Sequence, residues 1–429
     1  MKKKIIYVPL AVDILHTGHL NLLKKAKKYG DVVIGLLSDK AIVEYKSLPL
    51  ISYDERFEIV NNLKNVYKVI EQNEWDYTNT LKQLKPDFFI HGDDWKTGIQ
   101  KKIRLKVIKT LKSYGGKLIE VPYTSNISST IIKDRLRQHY TPASRVSLLK
   151  RLIDSKNIVR LLESHNALTG LIVEETSYEK SNIVKEFDAM WSSSLTDSTS
   201  RGKPDNQSVD FSSRFLGLSD ILDVTKKPVL FDADNGGRIE HIPYTVKTLE
   251  RYGVSGLMIE DKVGLKKNSL FKDQGGVKLD RVSTFCSKIK AAKKAAVSKD
   301  FLVGARIESF IVGNGLNDAL KRAEAYSKAG ADLILIHSKE SKPHQIFSFA
   351  KKFIKSKYYK PMVAVPSTYS STTEAELIKN GFKVVIYANH LIRAAHPAMV
   401  NVAKNILKNG RSFEVEKKIS SIKEIIELI

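Results

Sequence analysis

The segment that begins at Glu260 combines residue types that could bind a metal ion and an anion. Glu-Asp-Lys at 260–262 follows an apolar run, residues 254–259, which is typical of a buried strand. Carboxylates at a strand end suit a divalent cation. The segment continues with Lys266, Asn268 and Ser269, which suit an anionic substrate that must be covered during reaction.

Most other apolar runs after about residue 165 also end in polar side chains. Asp232 and Asp234 follow one run, Arg306 follows a second, and His337 follows a third. Eight such runs alternate with helical stretches, which predicts a parallel (β/α)₈ barrel whose strand ends form the active site. The predicted strands are residues 167–173, 187–191, 228–231, 254–259, 301–305, 331–336, 361–365 and 383–386.

The chemistry of these side chains indicates their roles. Asp232, Asp234 and Glu260 are expected to hold Mg²⁺, partly through water, because Mg²⁺ prefers oxygen ligands. Arg306 can grip a carboxylate or a phosphate with two parallel hydrogen bonds. His337 can donate to a negative charge that develops during the reaction.

A second set of residues that could take part in catalysis lies near the start of the chain. Asp13 precedes the sequence His16-Thr-Gly18-His19, which opens an amphipathic helix after an apolar strand. Helix N-termini attract anions, and histidines there can stabilise phosphate charge in a transition state. Two further polar clusters follow, His91-Gly-Asp-Asp94-Trp95 and the hydroxyl group Ser128, Ser129 and Thr130.

Residues from about 145 onward resemble phosphoenolpyruvate mutase of the isocitrate lyase superfamily. The resemblance is carried by Trp-Ser-Ser-Ser-Leu at 191–195, Asp-Ala-Asp at 232–234, Glu-Asp-Lys with Asn268-Ser269, and Tyr-Ala-Asn-His at 387–390. It implies Mg²⁺-dependent interconversion of phosphoenolpyruvate and phosphonopyruvate, and a homo-oligomer, a tetramer or dimer, through the barrel. The implied catalytic residues are Asp205, Lys266, Asn268, Ser269, Arg306 and His337. The implied substrate contacts are Trp191, Ser193, Ser194, Leu195 and Ser338.

This sequence departs from the family pattern at three places. Ser192 and Ser194 stand where the family often has glycine, the turn after Asp234 is shortened to Asn-Gly-Gly, and Leu265 replaces a usual proline. The carbon–carbon lyases of the superfamily carry a catalytic cysteine in a Lys-Lys-Cys-Gly-His loop. The only cysteine here, Cys286, lies in a helical stretch away from that loop, which argues against a lyase.

Residues 1–137 resemble cytidylyltransferases of the glycerol-3-phosphate type, which have a Rossmann-like nucleotidyltransferase fold. The resemblance implies that His16 and His19 stabilise the α-phosphate transition state of CTP and that Asp13 helps to hold Mg²⁺. The implied nucleotide contacts are Lys46, Arg56, Asp94, Trp95, Ser128, Ser129 and Thr130. For Lys46 a solvated loop position, and for Trp95 a place in the core, remain open as alternatives.

Composition is consistent with a two-domain enzyme. The 429 residues are ample for two cores, and we expect a domain over 1–138, a linker over 139–144 and a barrel domain over 145–429. A single cysteine excludes an internal disulfide framework. No run approaches a membrane span and no signal peptide precedes the first strand, so we expect a cytoplasmic protein without membrane association.

The formal net charge of +24 invites nucleic acid as a partner. The lysines, however, are spread along helix faces and are not clustered with aromatic residues, so we favour steering of anionic substrates over nucleic-acid binding.

We favour a bifunctional enzyme of phosphonate biosynthesis. The barrel would form the C–P bond, and the first domain would transfer CMP from CTP to a two-carbon phosphonate made downstream. Two alternatives remain open: a phosphonopyruvate hydrolase barrel on the same fold, or a non-catalytic basic scaffold that binds nucleotide or nucleic acid.

Overall fold

The structure is a computed structural model that describes residues 3–96, 100–122, 142–180, 183–264, 266–271 and 274–428. The described residues separate into two compact units. The first comprises those of Met1–Thr141, Arg151–Asn157 and Ser177–Glu186, and the second those of Pro142–Lys150, Ile158–Thr176 and Phe187–Ile429. None of the helices in the described part of the chain is long and apolar enough to cross a bilayer.

The first unit contains a five-stranded parallel sheet in the order β3-β2-β1-β4-β5. The strands are β1 Ile5–Leu10, β2 Asp31–Leu37, β3 Lys68–Gln72, β4 Phe88–Gly92 and β5 Lys117–Val121. The helices are α1 Thr17–Lys27, α2 Asp39–Val43, α3 Tyr53–Asn61, α4 Thr78–Leu84 and α5 Gln100–Lys112, with a 3₁₀ turn at Asp93–Lys96. The unit also contains an antiparallel pair, β7 Ser177–Lys180 and β8 Ile183–Glu186.

The strand order reverses beside β1, because β2 lies on one side of it and β4 on the other. Ligands of open α/β sheets bind at the carboxyl ends of the strands where the order reverses. Both faces of the sheet are covered by apolar clusters, one around Ile6, Val8 and Leu23 and the other around Tyr7, Phe89 and Val107. This arrangement leaves the loop after β1, which carries Asp13 and His16, and the first turn of α1, which carries His19, at the expected binding edge.

The second unit is a closed eight-stranded parallel barrel, which confirms the predicted barrel class. Its strands are β6 Val159–Glu163, β9 Ala189–Ser192, β10 Val229–Asp232, β11 Gly256–Glu260, β14 Leu302–Ile307, β15 Leu333–Ile336, β16 Met362–Ala364 and β17 Phe382–Tyr387. A short antiparallel pair, β12 Lys262–Val263 and β13 Lys278–Leu279, projects after β11.

Helices surround the barrel. Those that belong wholly to the second unit are α7 Ala167–Glu175, α8 Ser194–Ser200, α9 Phe211–Val224, α10 Ile242–Tyr252, α11 Val282–Ala295, α12 Gly315–Ala329, α13 His344–Phe353, α14 Glu374–Lys379 and α15 His390–Asn409, followed by α16 Phe413–Glu416 and α17 Ile422–Ile426. Helix α6 Pro142–Ser155 belongs to the second unit up to Lys150 and to the first unit from Arg151. Helix α6 begins inside the predicted linker 139–144. The preceding residues 123–141 lie outside the described ranges, so the predicted domain boundary stays a prediction.

The prediction of the first barrel strand was wrong. Residues 167–173 lie in helix α7, and the first strand is β6, Val159–Glu163. The Asn166 side chain accepts a hydrogen bond from the Thr169 N–H and caps α7, which an apolar count alone does not detect. Strand β6 carries Arg160 and Glu163 within five residues. These two charged residues interrupt the apolar run by which the other strands were predicted.

Candidate active sites

The barrel holds a cavity at the carboxyl ends of its strands. Seventeen residues line it: Trp191, Ser193, Ser194, Leu195, Asp205, Asp232, Lys266, Asn268, Ser269, Leu270, Arg306, Leu335, His337, Val365, Ser367, Ala388 and Asn389. All six catalytic candidates of the barrel and four of the five substrate-contact candidates are therefore brought together. Ser338 is the exception, because its hydroxyl donates to Gln345 Oε1 at 2.7 Å and the residue does not line the cavity.

Lys266 lies at the centre of an acidic cluster. Its Nζ is 2.7 Å from Asp205 Oδ1 and 2.5 Å from Asp234 Oδ1, and it also donates to the Ser194 hydroxyl. Burial disfavours the charge, but the carboxylates of Asp234, Asp232 and Asp205 raise the pKa of Lys266 above its usual value. The ammonium is thus fixed in its charged form.

Asn268 meets the same carboxylate. Its side-chain amide donates to Asp205 Oδ2 at 3.0 Å, while Lys266 occupies Oδ1. Asp205 therefore binds both Lys266 and Asn268, two residues of the segment that was predicted to cover the substrate. Strands β12 and β13 pair Lys262 with Leu279 and Val263 with Lys278, which anchors the base of this excursion.

Asp232 is held ionised by its neighbours. Ser194 donates to Asp232 Oδ2 at 2.8 Å, and the Arg214 guanidinium donates to the Asp232 carbonyl oxygen at 2.5 Å. Burial opposes ionisation, but Lys266, Arg306 and Arg214 outweigh it and lower the pKa of Asp232 to about 2. Arg214 is a fully buried guanidinium that also pairs with Asp197 at 2.7 Å, and no sequence pattern pointed to it.

Glu260 differs from Asp232, because it is buried without hydrogen bonds. Both of its carboxylate oxygens lack a donor, although Arg306 and Lys262 lie 3.4 and 3.8 Å away as ion pairs. Burial outweighs these cations and raises the pKa of Glu260 to about 7. Orphaned carboxylate oxygens of this kind fit a metal ion or its bound water.

Glu308 links the remaining catalytic candidates. It accepts from the Ser269 hydroxyl at 2.7 Å, pairs with Arg306 Nε at 2.5 Å, and lies 2.9 Å from His337 Nδ1. Burial alone would favour the neutral acid, but Arg306 and His337 hold the pKa of Glu308 well below its usual range. Burial lowers the pKa of His337, against the influence of Glu308. The Arg306-Ile-Glu308 pattern contains the signal for Glu308, which the sequence analysis did not assign a role.

Asp261, beside Glu260, has a positioning role. Its Oδ1 accepts the Glu308 backbone N–H at 2.9 Å, and its Oδ2 accepts from Tyr326 at 2.8 Å and from Arg322 at 3.2 Å. Burial raises the pKa of Asp261 to about 6. This network ties β11, β14 and α12 together behind the cavity.

The residues of the barrel fit Mg²⁺ as carboxylates around an open cavity. Glu260 supplies two buried oxygens without hydrogen bonds, and Asp234 Oδ1 has an ion pair with Lys266 that is not aligned as a hydrogen bond. Among the described residues, no three acids, histidines or cysteines converge as a ready-made metal centre. Binding partly through water is consistent with both observations, because Mg²⁺ usually keeps several waters.

The first unit pairs its two histidines closely. The ring centroids of His16 and His19 lie 3.9 Å apart. The Gly18 N–H donates to His16 Nδ1 at 3.2 Å, and the His16 N–H donates to His19 Nδ1 at 3.4 Å. Because both Nδ1 atoms accept, each neutral ring carries its proton on Nε2, where it can be donated to an anion. Burial, helped by His16 and Lys46, lowers the pKa of His19 to about 3.

Asp13 and its neighbour shape the loop after β1. Asp13 is buried, and its Oδ1 accepts the Leu50 N–H at 2.6 Å. Val12, just before it, adopts φ +47°, which is strained for a β-branched residue. Such strain persists where surrounding structure fixes the backbone, often at functional sites.

Two residues predicted to contact the nucleotide, Arg56 and Trp95, are buried and bonded to other parts of the protein. Arg56 is fully buried, and its guanidinium donates to the carbonyl oxygens of Ala11 and Leu37 and to Asp39. We therefore revise its predicted role from phosphate contact to positioning of the loop after β1. Trp95 is 1% exposed, stacks on His91 with centroids 4.0 Å apart, and donates to Glu120, so the core alternative holds.

The other nucleotide candidates are less constrained. Lys46 is exposed. It lies close enough to the histidine pair for its charge to help to lower the pKa of His19. The side chain of Asp94 and all of Ser128, Ser129 and Thr130 lie outside the described residues.

Comparisons with known proteins match each unit separately. A family model described as phosphoenolpyruvate phosphomutase matches residues 149–407, and one described as cytidylyltransferase-like matches residues 12–135. The phosphoenolpyruvate phosphomutase of Tetrahymena pyriformis is 36% identical over 299 residues, which are 70% of this chain and 95% of that protein. The phosphonopyruvate hydrolase of Variovorax sp. (strain Pal2) is 35% identical over 282 residues, which are 65% and 93%.

Solved structures agree with the sequence matches. The phosphoenolpyruvate phosphomutase from Streptomyces platensis subsp. rosaceus superposes with a TM-score of 0.61 at 35% identity, covering 66% of this chain and 94% of that one. A phosphonopyruvate hydrolase in complex with oxalate and Mg²⁺ gives a TM-score of 0.59 at 32% identity, with the same coverage. These matches confirm both resemblances that were inferred from the sequence.

Proposed function

The chain belongs to the phosphoenolpyruvate phosphomutase family and carries a cytidylyltransferase-like domain ahead of its barrel, and from that premise we propose that it is a bifunctional enzyme of phosphonate biosynthesis. In the barrel, the phosphorus atom leaves the enol oxygen of phosphoenolpyruvate and bonds to C3. One O–P bond breaks and one C–P bond forms, so no co-reactant is needed.

The observation that carries the mutase proposal is the convergence of Lys266 and Asn268 on Asp205 at the cavity. A reactive phosphoryl group must be kept from water if it is to return to carbon. Lys266 and Asn268 would contact the phosphoryl group and exclude water. Arg306 would bind the substrate carboxylate, and His337 would orient it, supported by Glu308.

We assign Asp232, Asp234 and Glu260 as the Mg²⁺ site. When bound, Mg²⁺ would stabilise the negative charge on the enolate oxygen as a Lewis acid. The orphaned oxygens of Glu260 support this assignment.

Hydrolysis is the rival activity of the barrel. The hydrolase relative and the mutase relative are almost equally similar, at 35% and 36% identity, so product analysis must decide. With phosphonopyruvate as substrate, we expect ³¹P NMR to report phosphoenolpyruvate as the main product. Inorganic phosphate and pyruvate as the main products would replace the mutase proposal with hydrolysis.

The first unit would transfer CMP. A phosphonate oxyanion attacks the α-phosphorus of CTP and pyrophosphate leaves, with no covalent enzyme intermediate. The Nε2–H donors of His16 and His19 would stabilise the charge that develops on the α-phosphate. Asp13 would help to hold Mg²⁺ there. Burial lowers the pKa of both rings, which favours neutral imidazoles that donate a hydrogen bond from Nε2.

The acceptor of CMP would be a two-carbon phosphonate. The barrel of the same chain is proposed to form a C–P bond, so a phosphonate is the expected acceptor in the CMP transfer. Pyrophosphate release with CTP should be faster for 2-hydroxyethylphosphonate or 2-aminoethylphosphonate than for glycerol 3-phosphate, compared as kcat/KM. A clear preference for glycerol 3-phosphate would contradict the proposal.

We also propose that the barrel self-associates. The structure describes all twenty residues of helix α15, and none of them is buried. Met399 is 60% and Leu407 84% exposed. After α15, Phe413 is 70% and Ile422 80% exposed. Exposed apolar patches of this kind mark interaction surfaces. Light scattering after size exclusion should give an oligomer for the wild type and a smaller species for Leu407→Glu, and an unchanged mass for that variant would argue against this surface.

A further inference from the structure

A lysine occupies the acidic cluster to which the metal is assigned. Lys266 Nζ lies 2.5 Å from Asp234 Oδ1 and 2.7 Å from Asp205 Oδ1, and it also donates to the Ser194 hydroxyl, which itself donates to Asp232. The Lys266 side chain is 5% exposed and that of Asp234 is 3% exposed. The ammonium is therefore a buried cation in direct contact with a proposed metal ligand.

The ammonium faces three oxygen partners in this position. A lysine has three N–H donors, and here they face three oxygens, those of Ser194, Asp205 and Asp234. Two of the contacts are hydrogen bonds, whereas the contact with Asp234 is an ion pair without hydrogen-bond alignment. Asp234 is thus the proposed metal ligand that Lys266 contacts directly, and its other carboxylate oxygen lies 3.8 Å from Arg214 Nη1.

We propose that Lys266 is the resident counter-cation of this carboxylate cluster and competes with the divalent metal for Asp234 until a substrate anion is bound. The inference rests on the proposed Mg²⁺ site. Two neighbouring cations in a buried site repel each other strongly, because water screens them poorly. A phosphoryl anion in the cavity would give the ammonium another partner, so that both cations could then be retained.

Direct metal binding tests this competition without reference to turnover. The probe is Mn²⁺ in the absence of substrate, with free Mn²⁺ measured by electron paramagnetic resonance. Removing a buried like charge should tighten Mn²⁺ binding to Lys266→Met by on the order of tenfold or more. Lys266→Arg keeps the charge and should bind Mn²⁺ no more tightly than the wild type. Lys278→Met removes an exposed lysine from the same excursion and should bind as the wild type does.

Thermal unfolding gives a second readout that also reveals misfolding. Without its ammonium, the cluster of carboxylates keeps only the charges of Arg214, Arg306 and Lys262, so Mg²⁺ should raise the Tm of Lys266→Met more than that of the wild type or of Lys278→Met. Equal Mn²⁺ affinity and equal Tm gains in the wild type and Lys266→Met would overturn the competition and leave the metal site in place. No Mn²⁺ binding to any of the proteins would overturn the metal assignment itself, and the competition with it.

Discussion

The surroundings of two barrel carboxylates shift their pKa values in opposite directions. The pKa of Asp232 is lowered to about 2, while the pKa of Glu260 is raised to about 7. Burial opposes ionisation of both, but Lys266, Arg306 and Arg214 outweigh it at Asp232, whereas at Glu260 burial outweighs Arg306 and Lys262. Sites that separate the pKa values of neighbouring acids are typical of catalysis.

The histidine pair of the first unit yields a pH prediction. The pKa of His19 falls to about 3 in the folded protein, against an ordinary value of 6.5. Below pH 6.5 the unfolded chain therefore binds more protons at this residue, so its contribution to stability is complete above pH 6.5 and is lost as the pH falls toward 3. We expect the His19 ring resonances to show no titration between pH 5 and 8 by NMR.

The same argument applies to unfolding. The urea midpoint of the wild type should fall between pH 7 and pH 4 more steeply than that of His19→Gln, which lacks the titrating ring. A His19 resonance that titrates near pH 6.5, or parallel pH profiles for the two proteins, would contradict the lowered pKa of His19.

Asn268 gives the sharpest residue-level test of the barrel. Its amide is the donor that meets Asp205 at the cavity, and removing one donor to a developing charge typically lowers kcat by on the order of a hundredfold. Asn268→Ala should therefore lose phosphonopyruvate isomerisation by about this factor, measured by ³¹P NMR. Turnover of CTP in the same preparation is the internal control. Near-normal isomerisation would remove Asn268 from the catalytic set.

Asn235 connects three loops around the cavity. Its side-chain amide donates to the Gly264 carbonyl oxygen at 3.2 Å, and its Oδ1 accepts from Gln207 at 3.2 Å and from the Gly237 N–H at 3.0 Å. Gly264 precedes Lys266, and Gln207 follows Asp205. Asn235 therefore positions the loops whose charged residues meet in the cavity.

Asn235→Ala should loosen the loops that bring Lys266 and Asp205 together in the cavity. Each lost hydrogen bond contributes roughly 1 kcal/mol, so the kcat/KM of the mutase should fall by about tenfold. Asn380→Ala, which removes a surface hydrogen bond at the end of α14, is the matched control and should have no effect. A loss of thermal stability without a loss of kcat/KM would indicate that Asn235 only stabilises the turn.

The sequence predicted the elements that carry strong chemical signals and failed where burial decides the role. Acids, arginine and histidine at strand ends located the barrel cavity, because parallel strands share one carboxyl edge. The pattern could not distinguish helix α7 from a strand, since a short apolar run suits both. Nor could it separate Arg56 from a phosphate contact, because only the folded chain reveals that backbone carbonyl oxygens occupy its guanidinium.

At the scale of the whole molecule, the net charge of +24 accompanies two proposed sites for polyanions. A positive surface raises the local concentration of anionic substrates and speeds their association, an effect that salt weakens. The paired acids of the barrel are buried under Lys266 and Arg306, so they do not oppose this field at the surface. The charge is therefore consistent with steering of phosphoenolpyruvate and CTP.

The two activities should be separable by single substitutions. The candidate residues of the mutase and of the CMP transfer lie in different compact units and share no member. Asp232→Ala removes the carboxylate that accepts from Ser194 and helps to hold Lys266 charged, so it should abolish isomerisation and leave CTP turnover near the wild-type rate. His19→Ala removes an Nε2–H donor and should do the reverse, with a loss of about a hundredfold or more in pyrophosphate release. Both rates should be measured on the same preparation of each full-length variant, with circular dichroism to verify folding. A folded single variant that loses both activities would mean that the sites depend on each other.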